Sequence, residues 1–216
     1  MEKVGARPLI FYVVERMKLL KLPVIVATST DPSDDVLCNY LQSQKYPYFR
    51  GSLNNVLQRY IDAANHYEID RIVRITADNP LVDTRFLIES LSLFIEYDYA
   101  DGIYQGGFIP GTGFELVSLS ELLQIPSSEK DHQEHVTLWL REHLEYSEKR
   151  IQLLPSVQNK FREDVFLSCD YPEDLEFLRE IFRHYKYRTD IKIEEVNSLL
   201  KKRPALKRIN STLHQA

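Results

Sequence analysis

The stretch Arg71–Asp83, RIVRITADNPLVD, decides the predicted fold of this 216-residue chain, because its character changes halfway along. Its first six residues, RIVRIT, are rich in β-branched side chains and are typical of a short strand. The residues that follow are small or polar, and the carboxylate of Asp78 stands just beyond the end of that strand. Ligands of open α/β sheets bind beyond the carboxyl ends of the strands. The stretch therefore predicts a strand that delivers Asp78 to the edge of a sheet.

Helices and strands are predicted to alternate before this strand. Pro8 precedes an approximate helical stripe that runs from Leu9 to Leu20 and suits a first helical turn. The apolar run VIVAT, residues 24–28, indicates a strand covered on both faces. Asp31-Pro32-Ser33 then opens a helix predicted over 34–44.

The next unit repeats the same alternation. A strand is predicted over 46–49, and Ser52 is expected to cap the following helix. That helix has the clearest amphipathic pattern of the chain, with apolar residues at Leu53, Val56, Leu57, Tyr60, Ile61 and Ala64. Asp83 is expected to cap a further helix that ends near Ile95. The alternation predicts an α/β protein with a mainly parallel sheet and helices on both faces, a three-layer α/β/α sandwich.

The second half of the chain changes character. Two strands, 99–105 and 114–117, are predicted around the glycine-bearing loop GGFIPGTG, which lacks the lysine of a phosphate-binding Walker loop and is interpreted as a connection between strands. The remaining predicted elements are a long helix over 134–146, strands over 151–154 and 165–169, and helices over 172–185 and 191–200.

Composition favours one globular domain over residues 1–216. The chain is 44% hydrophobic and 27% charged, which favours neither disorder nor a membrane span, and no Pro/Gly/Ser-rich linker divides it. Residues 98–118 are expected to form a strand-loop-strand excursion and a candidate dimer contact, and residues from about 209 to 216 a tail. The net charge of −5 argues against a nucleic-acid partner.

The amino-terminal stretch MEKVGARPLI lacks the pattern of a secretory signal, so a cytoplasmic location is expected without membrane association. Cys38 and Cys169 are the only cysteines, and their apolar neighbours indicate buried reduced thiols.

A second carboxylate follows a predicted strand in the same way as Asp78. The segment VFLSC, 165–169, leads into Asp170, and Pro172 suits the first position of a helix. If the two strands are close in the sheet, both carboxylates share one edge and suit a magnesium ion, which takes one or two protein oxygens and keeps water and phosphate oxygens. The alternative is structural: Asp78 would form an Asx-turn before Pro80, and Asp170 would assist the start of its helix.

Two other patterns carry weaker signals. His132, Glu134 and His135 have neither the spacing of the helical zinc motifs nor an obvious further ligand, which argues against a zinc site. The basic run KKRPALKR, Lys201–Arg208, follows a predicted helix, where cations compensate the carboxyl end of the helix dipole; phosphate contact is the weaker alternative.

Six stretches in order resemble the nucleotide-sugar cytidylyltransferases, most closely those of the spore coat polysaccharide biosynthesis protein F type. They cover most of the chain and read GARPLIFYVVERMK, VIVATSTDPSDD, YFRGSLNNVLQRY, VRITADNPLVD, EHVTLWLRE and SCDYPEDLEFLREIF. The resemblance implies a nucleotide-diphospho-sugar transferase-like fold. It also implies transfer of CMP from CTP to an acidic or related sugar for surface polysaccharide, with release of pyrophosphate.

The resemblance also assigns roles to residues. The metal-binding aspartates of the family fall on Asp78 and Asp170, which the resemblance makes the catalytic pair with Mg²⁺ as cofactor. The stretches around the nucleotide fall on Thr28, Ser29, Arg50, Gly51 and Ser52, and the substrate side on Asn79, Glu115, Glu134 and His135. Lys3 and Arg7 are the nearest candidates for a phosphate contact at a helix amino terminus.

The sequence departs from the family pattern at its amino terminus. Members begin with a strand and an Arg/Lys-bearing phosphate-binding loop before the stretch that matches GARPLI, and residues 1–4 supply neither. A truncation, another group that takes over the role, and a loss of catalysis are the three explanations. The fold is accordingly expected to lack the usual first strand, and a homodimer, usual in the family, would cover some of the exposed edge. The rival function is a catalytically silent homologue that binds a nucleotide, a sugar or a partner protein.

Overall fold

The computed structural model describes residues 1–102, 107–126, 128–155, 160 and 164–211. Its first elements are the short strands β1 (Lys3–Val4) and β2 (Arg7–Pro8), which form an antiparallel hairpin, and helix α1 (Leu9–Met17). A 3-10 turn, Lys18–Leu20, ends α1. The predicted first helix is thus confirmed after Pro8.

Strands and helices then alternate as predicted up to Ile95. The strands are β3 (Val26–Ser29), β4 (Tyr48–Gly51) and β5 (Arg71–Arg74). The helices are α2 (Asp35–Ser43), α3 (Val56–His66) and α4 (Thr84–Ser90), the last continued by a 3-10 helix, Leu91–Ile95. Asp83 caps α4 as predicted, since its Oδ1 accepts a hydrogen bond from the Phe86 amide at 3.1 Å.

The second half contains three short strands and five helices within the described residues. The strands are β6 (Tyr99–Asp101), β7 (Glu115–Ser118) and β8 (Arg150–Gln152). The helices are α5 (Leu119–Leu122), α6 (Lys130–Glu134), α7 (Leu138–Glu142), α8 (Pro172–His184) and α9 (Ile193–Lys202). The distal part of the strand predicted over 99–105 lies partly outside the described residues.

The strands form two larger groups. Strands β3 and β4 make a parallel pair, and four strands make a sheet in the order β5-β7-β6-β8. Strands β6 and β8 are parallel, as predicted for most of the sheet, whereas β7 is antiparallel to both of its neighbours. The strand-loop-strand unit predicted over 98–118 therefore supplies two strands inside the sheet, since β7 lies between β5 and β6.

Helices cover both faces of the four-stranded sheet. On one face Ile72, Tyr99 and Val117 pack in a cluster with residues of α3, α5 and α7. On the other face their sequence neighbours Val73, Ala100 and Leu116 pack in a cluster with residues of α1 and α4. Because successive strand residues point to opposite faces, this alternation gives the three-layer arrangement predicted from the sequence.

Arg16 on α1 joins separate parts of the chain from inside the core. Its guanidinium donates to the carbonyl oxygens of Val82, Thr189 and Ile191 at 2.6, 2.9 and 2.8 Å, and its side chain is almost completely buried. Burial lowers the Arg16 pKa to about 10, although the nearby Asp83 carboxylate acts in the opposite direction. Arg16 therefore lies on the inner face of α1.

Three local predictions are wrong. The long helix predicted over 134–146 is broken into α6 and α7, because His135 and Thr137 have non-helical dihedral angles and the Thr137 hydroxyl donates to buried Glu115. Residues 165–169 form no strand; the amides of Leu167 and Cys169 bond instead to the carbonyls of Pro110 and Asp78.

The third wrong prediction concerns the start of α3. The helix begins at Val56, and its N-cap is Asn55, whose Oδ1 accepts from the Gln58 amide at 2.8 Å. Ser52 precedes the cap, and its Oγ accepts from the Asn55 amide at 3.0 Å. Leu53, predicted on the inner face of this helix, is exposed.

Both cysteines are free thiols, and Cys38 is buried whereas Cys169 is partly exposed. Among the helices that the structure describes, none combines the length and the apolar character needed to cross a bilayer.

Candidate functional site

The two aspartates singled out by the sequence lie in neighbouring loops. Asp78 lies in the turn after β5, and Asp170 lies in the loop that leads into α8. The Cys169 amide donates to the Asp78 carbonyl at 3.1 Å, so the loop that carries Asp170 runs directly beside the turn that carries Asp78. The structure thus places two residues that are 92 positions apart in sequence in adjacent loops.

The raised pKa of the Cys169 thiol indicates a negative electrostatic potential between the turn with Asp78 and the loop with Asp170. Partial burial, together with the negative charges of Asp174, Asp78 and Asp170, raises its pKa to about 11. Since both candidate carboxylates act on the same thiol, they contribute to one local negative field. Such a field attracts a cation.

The hydrogen bonds of the two carboxylates differ. The Oδ1 atom of Asp78 is buried and has no hydrogen-bond partner among the described residues. Asp170 is exposed, and its Oδ2 accepts from the Ser168 hydroxyl at 2.8 Å. A buried acceptor without a donor is unfavourable unless a cation or a ligand meets it.

The structural roles considered for the two aspartates belong to other residues. The turn after β5 is closed by Asn79, whose amide and side-chain nitrogen donate to the carbonyl and hydroxyl oxygens of Thr76 at 3.2 and 2.7 Å. The start of α8 is capped through Asp174, whose Oδ2 accepts from the amides of Asp170 and Tyr171 at 3.1 and 2.9 Å. The observed bonds leave the carboxylates of Asp78 and Asp170 outside these two roles.

Asp174 is a site residue that the sequence reasoning missed. It is fully buried, and besides the two amides it accepts from the side chain of Asn210 at 2.8 Å. It fixes the backbone of Asp170 and thereby the direction of that carboxylate. The signal was present in the sequence, since a carboxylate two positions after the proline of a helix start is a usual capping residue.

Gly111 lets the loop before β7 approach the same segment. Its φ of +89° lies in the left-handed region, and a Cβ atom there would lie 2.1 Å from the Leu167 carbonyl carbon and 2.2 Å from the Ser168 amide nitrogen. Only glycine fits so close to another backbone. Through Gly111, the loop GGFIPGTG therefore packs against the backbone of the segment that leads to Asp170.

On the nucleotide side, Asp34 organises the predicted residues Thr28 and Ser29. One carboxylate oxygen of Asp34 accepts from both hydroxyls, at 2.8 and 2.6 Å, and from the Ser29 amide at 3.0 Å. These bonds lower the Asp34 pKa, chiefly through the Ser29 side chain, so the aspartate is ionised at neutral pH. Asp34, which the sequence analysis did not single out, therefore fixes the loop after β3.

Arg50 clamps the same loop from β4. Its Nε donates to the Ser29 carbonyl at 2.8 Å, one terminal nitrogen donates to the Asp31 carbonyl at 3.0 Å, and the other pairs with Asp35 at 2.8 Å. Gly51 pairs with Ser29 in the register of β3 and β4. Thr28, Ser29, Arg50 and Gly51 thus form one cluster at the ends of two parallel strands.

Ser52 and Arg7 have different surroundings. Ser52 continues from Gly51, and its carbonyl accepts from Arg59 at 2.8 Å. Arg7 lies in the amino-terminal hairpin, where its guanidinium stands 5.1 Å from the ring centroid of Phe11 on α1. The contacts of Arg7 thus lie with α1, whereas those of Ser52 lie with the loop before α3.

The residues predicted on the sugar side separate into two environments. Glu115 on β7 is fully buried, accepts from Tyr99 at 2.9 Å and from Thr137, and pairs with Arg74 at 2.5 Å. Burial raises the pKa of the Tyr99 hydroxyl, and the Glu115 charge adds to that effect. Glu134 and His135, in contrast, are exposed at the end of α6.

A cation of the magnesium type fits the Asp78 and Asp170 pair by donor chemistry. Carboxylate oxygens are the hard ligands that Mg²⁺ prefers, and two of them suffice when water and phosphate supply the rest. Within the part of the chain that the structure describes, no group of three or more His, Cys, Asp or Glu side chains is arranged to hold a metal ion. The pair therefore suits an ion shared with a bound substrate better than a closed protein cage.

The three-layer fold is shared with solved structures of nucleotidyltransferases. The chain is similar in fold to CMP:2-keto-3-deoxy-manno-octonic acid synthetase complexed with CTP, with a TM-score of 0.60 at 13% identity over 85% of this chain and 91% of the other. It superposes better on a cytidylyltransferase from Leptospira borgpetersenii, with a TM-score of 0.86 at 27% identity over 94% of this chain and 87% of the other.

Sequence comparison gives the family. The profile described as "Cytidylyltransferase" matches residues 1–205, so the chain belongs to the cytidylyltransferase family. It is 30% identical to the uncharacterized protein MJ1063 of Methanocaldococcus jannaschii over 99% of this chain and 88% of the relative. It is 29% identical to the spore coat polysaccharide biosynthesis protein SpsF of Bacillus subtilis over 84% of this chain and 75% of the relative. The family resemblance inferred from the six sequence stretches is confirmed.

Proposed function

We propose that this protein transfers CMP from CTP to a hydroxyl of an acidic or related sugar, releases pyrophosphate, and serves the synthesis of a surface polysaccharide. The observation that carries the proposal is that the turn with Asp78 and the loop with Asp170 run side by side, with both carboxylates acting on the Cys169 thiol. Family membership gives the class of reaction. The similarity to SpsF, whose name refers to spore coat polysaccharide, supports the pathway.

The reaction needs an electrostatic site more than a strong base. The sugar oxygen forms a bond to the α-phosphorus, the bond from that phosphorus to the β-phosphate oxygen breaks, and the sugar hydroxyl loses its proton. Negative charge accumulates on the phosphoryl oxygens and on the leaving pyrophosphate, where positive charge is most effective.

Asp78 and Asp170 would hold Mg²⁺ through their carboxylate oxygens. When bound, the ion supplies positive charge to phosphate oxygens and orients them. Asp174 and Ser168 keep Asp170 in place through their hydrogen bonds to its amide and carboxylate. The cluster of Thr28, Ser29 and Arg50 shapes the neighbouring loop after β3, where the nucleotide would bind.

A silent homologue that binds a nucleotide, a sugar or a protein without turnover is the second candidate. The observation that favours it is the state of Arg50, because all three guanidinium nitrogens are engaged by Ser29, Asp31 and Asp35. These contacts occupy three of the five N–H donors of the guanidinium and reduce what it can offer to a phosphate group. Lys3 and Arg7 lie in the amino-terminal hairpin, and Arg7 stacks over Phe11.

The decisive experiment combines nucleotide binding with turnover. CTP is titrated calorimetrically with and without Mg²⁺, and pyrophosphate release is then measured with candidate sugars. Magnesium-dependent CTP binding with pyrophosphate release supports the transferase. Nucleotide binding without any pyrophosphate supports the silent homologue, and the absence of nucleotide binding contradicts the transferase.

The residues are tested with Asp78→Asn and Asp170→Asn. Each is expected to reduce pyrophosphate release by about 100-fold or more, because the metal contact is lost, and to leave the melting temperature nearly unchanged. Asp131→Asn is the matched control, since Asp131 is an exposed aspartate on α6 and its loss should leave turnover unchanged. A large drop in stability with normal magnesium affinity would refute the role of the pair as ligands.

A further inference from the structure

The loop that carries Asp170 receives little support from secondary structure. Residues 165–169 form no strand, and α8 begins only at Pro172. The Asp170 side chain is exposed, so packing does not fix it either. A carboxylate that binds a cation from such a loop depends on further contacts that hold its backbone in place.

Asn210 supplies two such contacts from the far end of the described chain. Its Nδ2 atom donates to the Phe166 carbonyl at 3.1 Å and to Oδ1 of Asp174 at 2.8 Å. The two acceptors lie four residues before and four residues after Asp170. One side-chain amide therefore ties both flanks of the Asp170 loop together.

A carboxamide suits this bridge because its nitrogen carries two N–H donors. Asn210 is fully buried, and its Oδ1 atom has no hydrogen-bond partner among the described residues. A buried oxygen without a donor is unfavourable, so the contribution of this side chain comes from its nitrogen. Leucine, which has a similar size, would offer neither donor.

Asp174 transmits the constraint from Asn210 to Asp170. Its Oδ2 atom accepts from the amides of Asp170 and Tyr171, and its Oδ1 atom accepts from Asn210. Hydrogen bonds to an ionised acceptor are stronger than bonds between neutral groups. The bond from Asn210 therefore helps to fix the orientation of the carboxylate that holds the Asp170 amide.

The segment before Asn210 is anchored on the same part of the core. Residues Pro204–Ile209 form a 3-10 helix, and Leu206 is buried in the apolar cluster that also contains Leu167. The family profile matches residues 1–205, so Asn210 lies beyond the part of the chain that defines the family. Its contact with the Asp170 loop is therefore a feature of this chain that the profile does not describe.

We propose that Asn210 is a positioning residue of the candidate metal site. It acts through Asp174 and Phe166, and it holds the Asp170 loop in the position from which that carboxylate would bind Mg²⁺. The inference rests on the proposed function, in which Asp170 is a metal ligand. It adds a residue from the carboxyl-terminal segment that itself touches neither the metal nor the substrate.

The first measurement is amide hydrogen exchange in the Asn210→Leu variant without ligand. The amides of Asp170 and Tyr171 are expected to exchange about tenfold faster, because the carboxylate that accepts from them is no longer held. Val196→Ala is the control, since it removes a buried methyl group pair from α9 in the same apolar cluster and leaves the bonds of Asn210 intact. It should leave the exchange of both amides unchanged.

The second measurement is the apparent affinity for Mg²⁺, titrated calorimetrically in the presence of CTP. Asn210→Leu is expected to weaken it about tenfold, because the loss of outer contacts to a metal ligand has effects of this size. The affinity for CTP without Mg²⁺ should stay the same. A purely structural role would lower the melting temperature of Asn210→Leu, as of Val196→Ala, and would leave the magnesium affinity unchanged.

Asn210→Ser provides a milder variant that keeps one donor. A single hydroxyl cannot donate to Phe166 and Asp174 at once, so exchange of the Asp170 amide should lie between that of the unchanged protein and that of Asn210→Leu. If Asn210→Leu does not fold, Asn210→Ser decides by the same two measurements.

Two results would overturn the inference alone, provided that the unchanged protein binds CTP in a magnesium-dependent way. They are unchanged exchange of the Asp170 and Tyr171 amides in the Asn210 variants, and faster exchange with unchanged magnesium affinity. The absence of magnesium-dependent CTP binding by the unchanged protein would contradict the proposed function itself and, with it, the metal role of Asn210.

Discussion

Glu115 and Glu134 are both glutamates, but Glu115 is buried and Glu134 is exposed. This difference in burial separates their roles. Glu115 is fully buried among Arg74, Tyr99 and Thr137, whereas Glu134 is exposed at the end of α6. A buried ion pair contributes little net stability, but the removal of one charge leaves the other uncompensated. Glu115 therefore behaves as a structural residue of β7, and Glu134 remains available to solvent and to a substrate.

Glu115→Gln tests this assignment. The substitution should lower the free energy of unfolding by about 3 kcal/mol, because the Arg74 guanidinium stays buried without its counter-charge. Glu134→Gln is the matched control and should change that free energy by less than about 0.5 kcal/mol, as an exposed substitution does. Urea denaturation of both variants supplies the measurement. Equal stability of the two variants would mean that the hydrogen bonds and ion pair of Glu115 do not contribute to the free energy of unfolding.

The helices show how a cap is chosen by geometry among several suitable residues. Ser52, Asn54 and Asn55 are all compatible with the start of α3 in composition, and the structure uses Asn55. The chain between Gly51 and Val56 is needed to turn from the end of β4 to α3, so the helix cannot begin at Leu53. Ser52 instead supports the cap by accepting from its amide.

Asn55→Ala measures how much the N-cap of α3 contributes to the free energy of unfolding. It should cost about 1 kcal/mol of unfolding free energy through the loss of the bond from the Gln58 amide. Asn54→Ala, at an exposed neighbouring position, should cost less than about 0.5 kcal/mol. Chemical denaturation distinguishes the two. A greater cost for Ser52→Ala than for Asn55→Ala would identify Ser52 as the main cap.

At the scale of the whole molecule, the two groups of strands are bonded separately. Strands β3 and β4 form a two-stranded parallel pair, while β7 is hydrogen-bonded on both edges. A pair of strands is less stable by itself than a larger sheet with both faces covered. Val24, Ile25 and Val26 are only half-buried, whereas the sequence predicted that this strand would be covered on both faces.

Native-state hydrogen exchange should therefore show unequal stability. The amides of β3 and β4 are expected to exchange at least about tenfold faster than those of β7, because local opening of the pair breaks fewer contacts. The amides of α8, which packs in the largest apolar cluster, serve as the slow reference. Exchange of β3 at the rate of β7 would show that the strands open as one unit.

Much of the fold was predictable from local patterns. The helical stripe after Pro8, the cap at Asp83 and the helix after Pro172 depend on residues that lie within a few positions of one another, and all three are confirmed. The long helix over 134–146 was not predictable in the same way. Its break at His135 and Thr137 is accompanied by a hydrogen bond from Thr137 to Glu115, which lies 22 positions earlier.

The candidate site shows the same division. A carboxylate after each of two apolar stretches indicated Asp78 and Asp170, yet the segment before Asp170 is no strand. A backbone bond from Cys169 to Asp78 places it beside the turn after β5. Asp34 was missed because its bonds to Thr28 and Ser29 form only when the loop after β3 folds back, whereas Asp174 was missed although its place after Pro172 is a usual capping position.

The sequence by itself determined the α/β class, the alternation of elements up to Ile95, the family and the two aspartates, because each depends on local periodicity or on short motifs. The tertiary structure alone decided the central position of β7, the burial of Glu115 and the contact of Asn210 with both flanks of the Asp170 loop. The physical reason is that strand partners and burial depend on contacts between residues that are far apart in the chain, whereas propensity and capping act over a few residues.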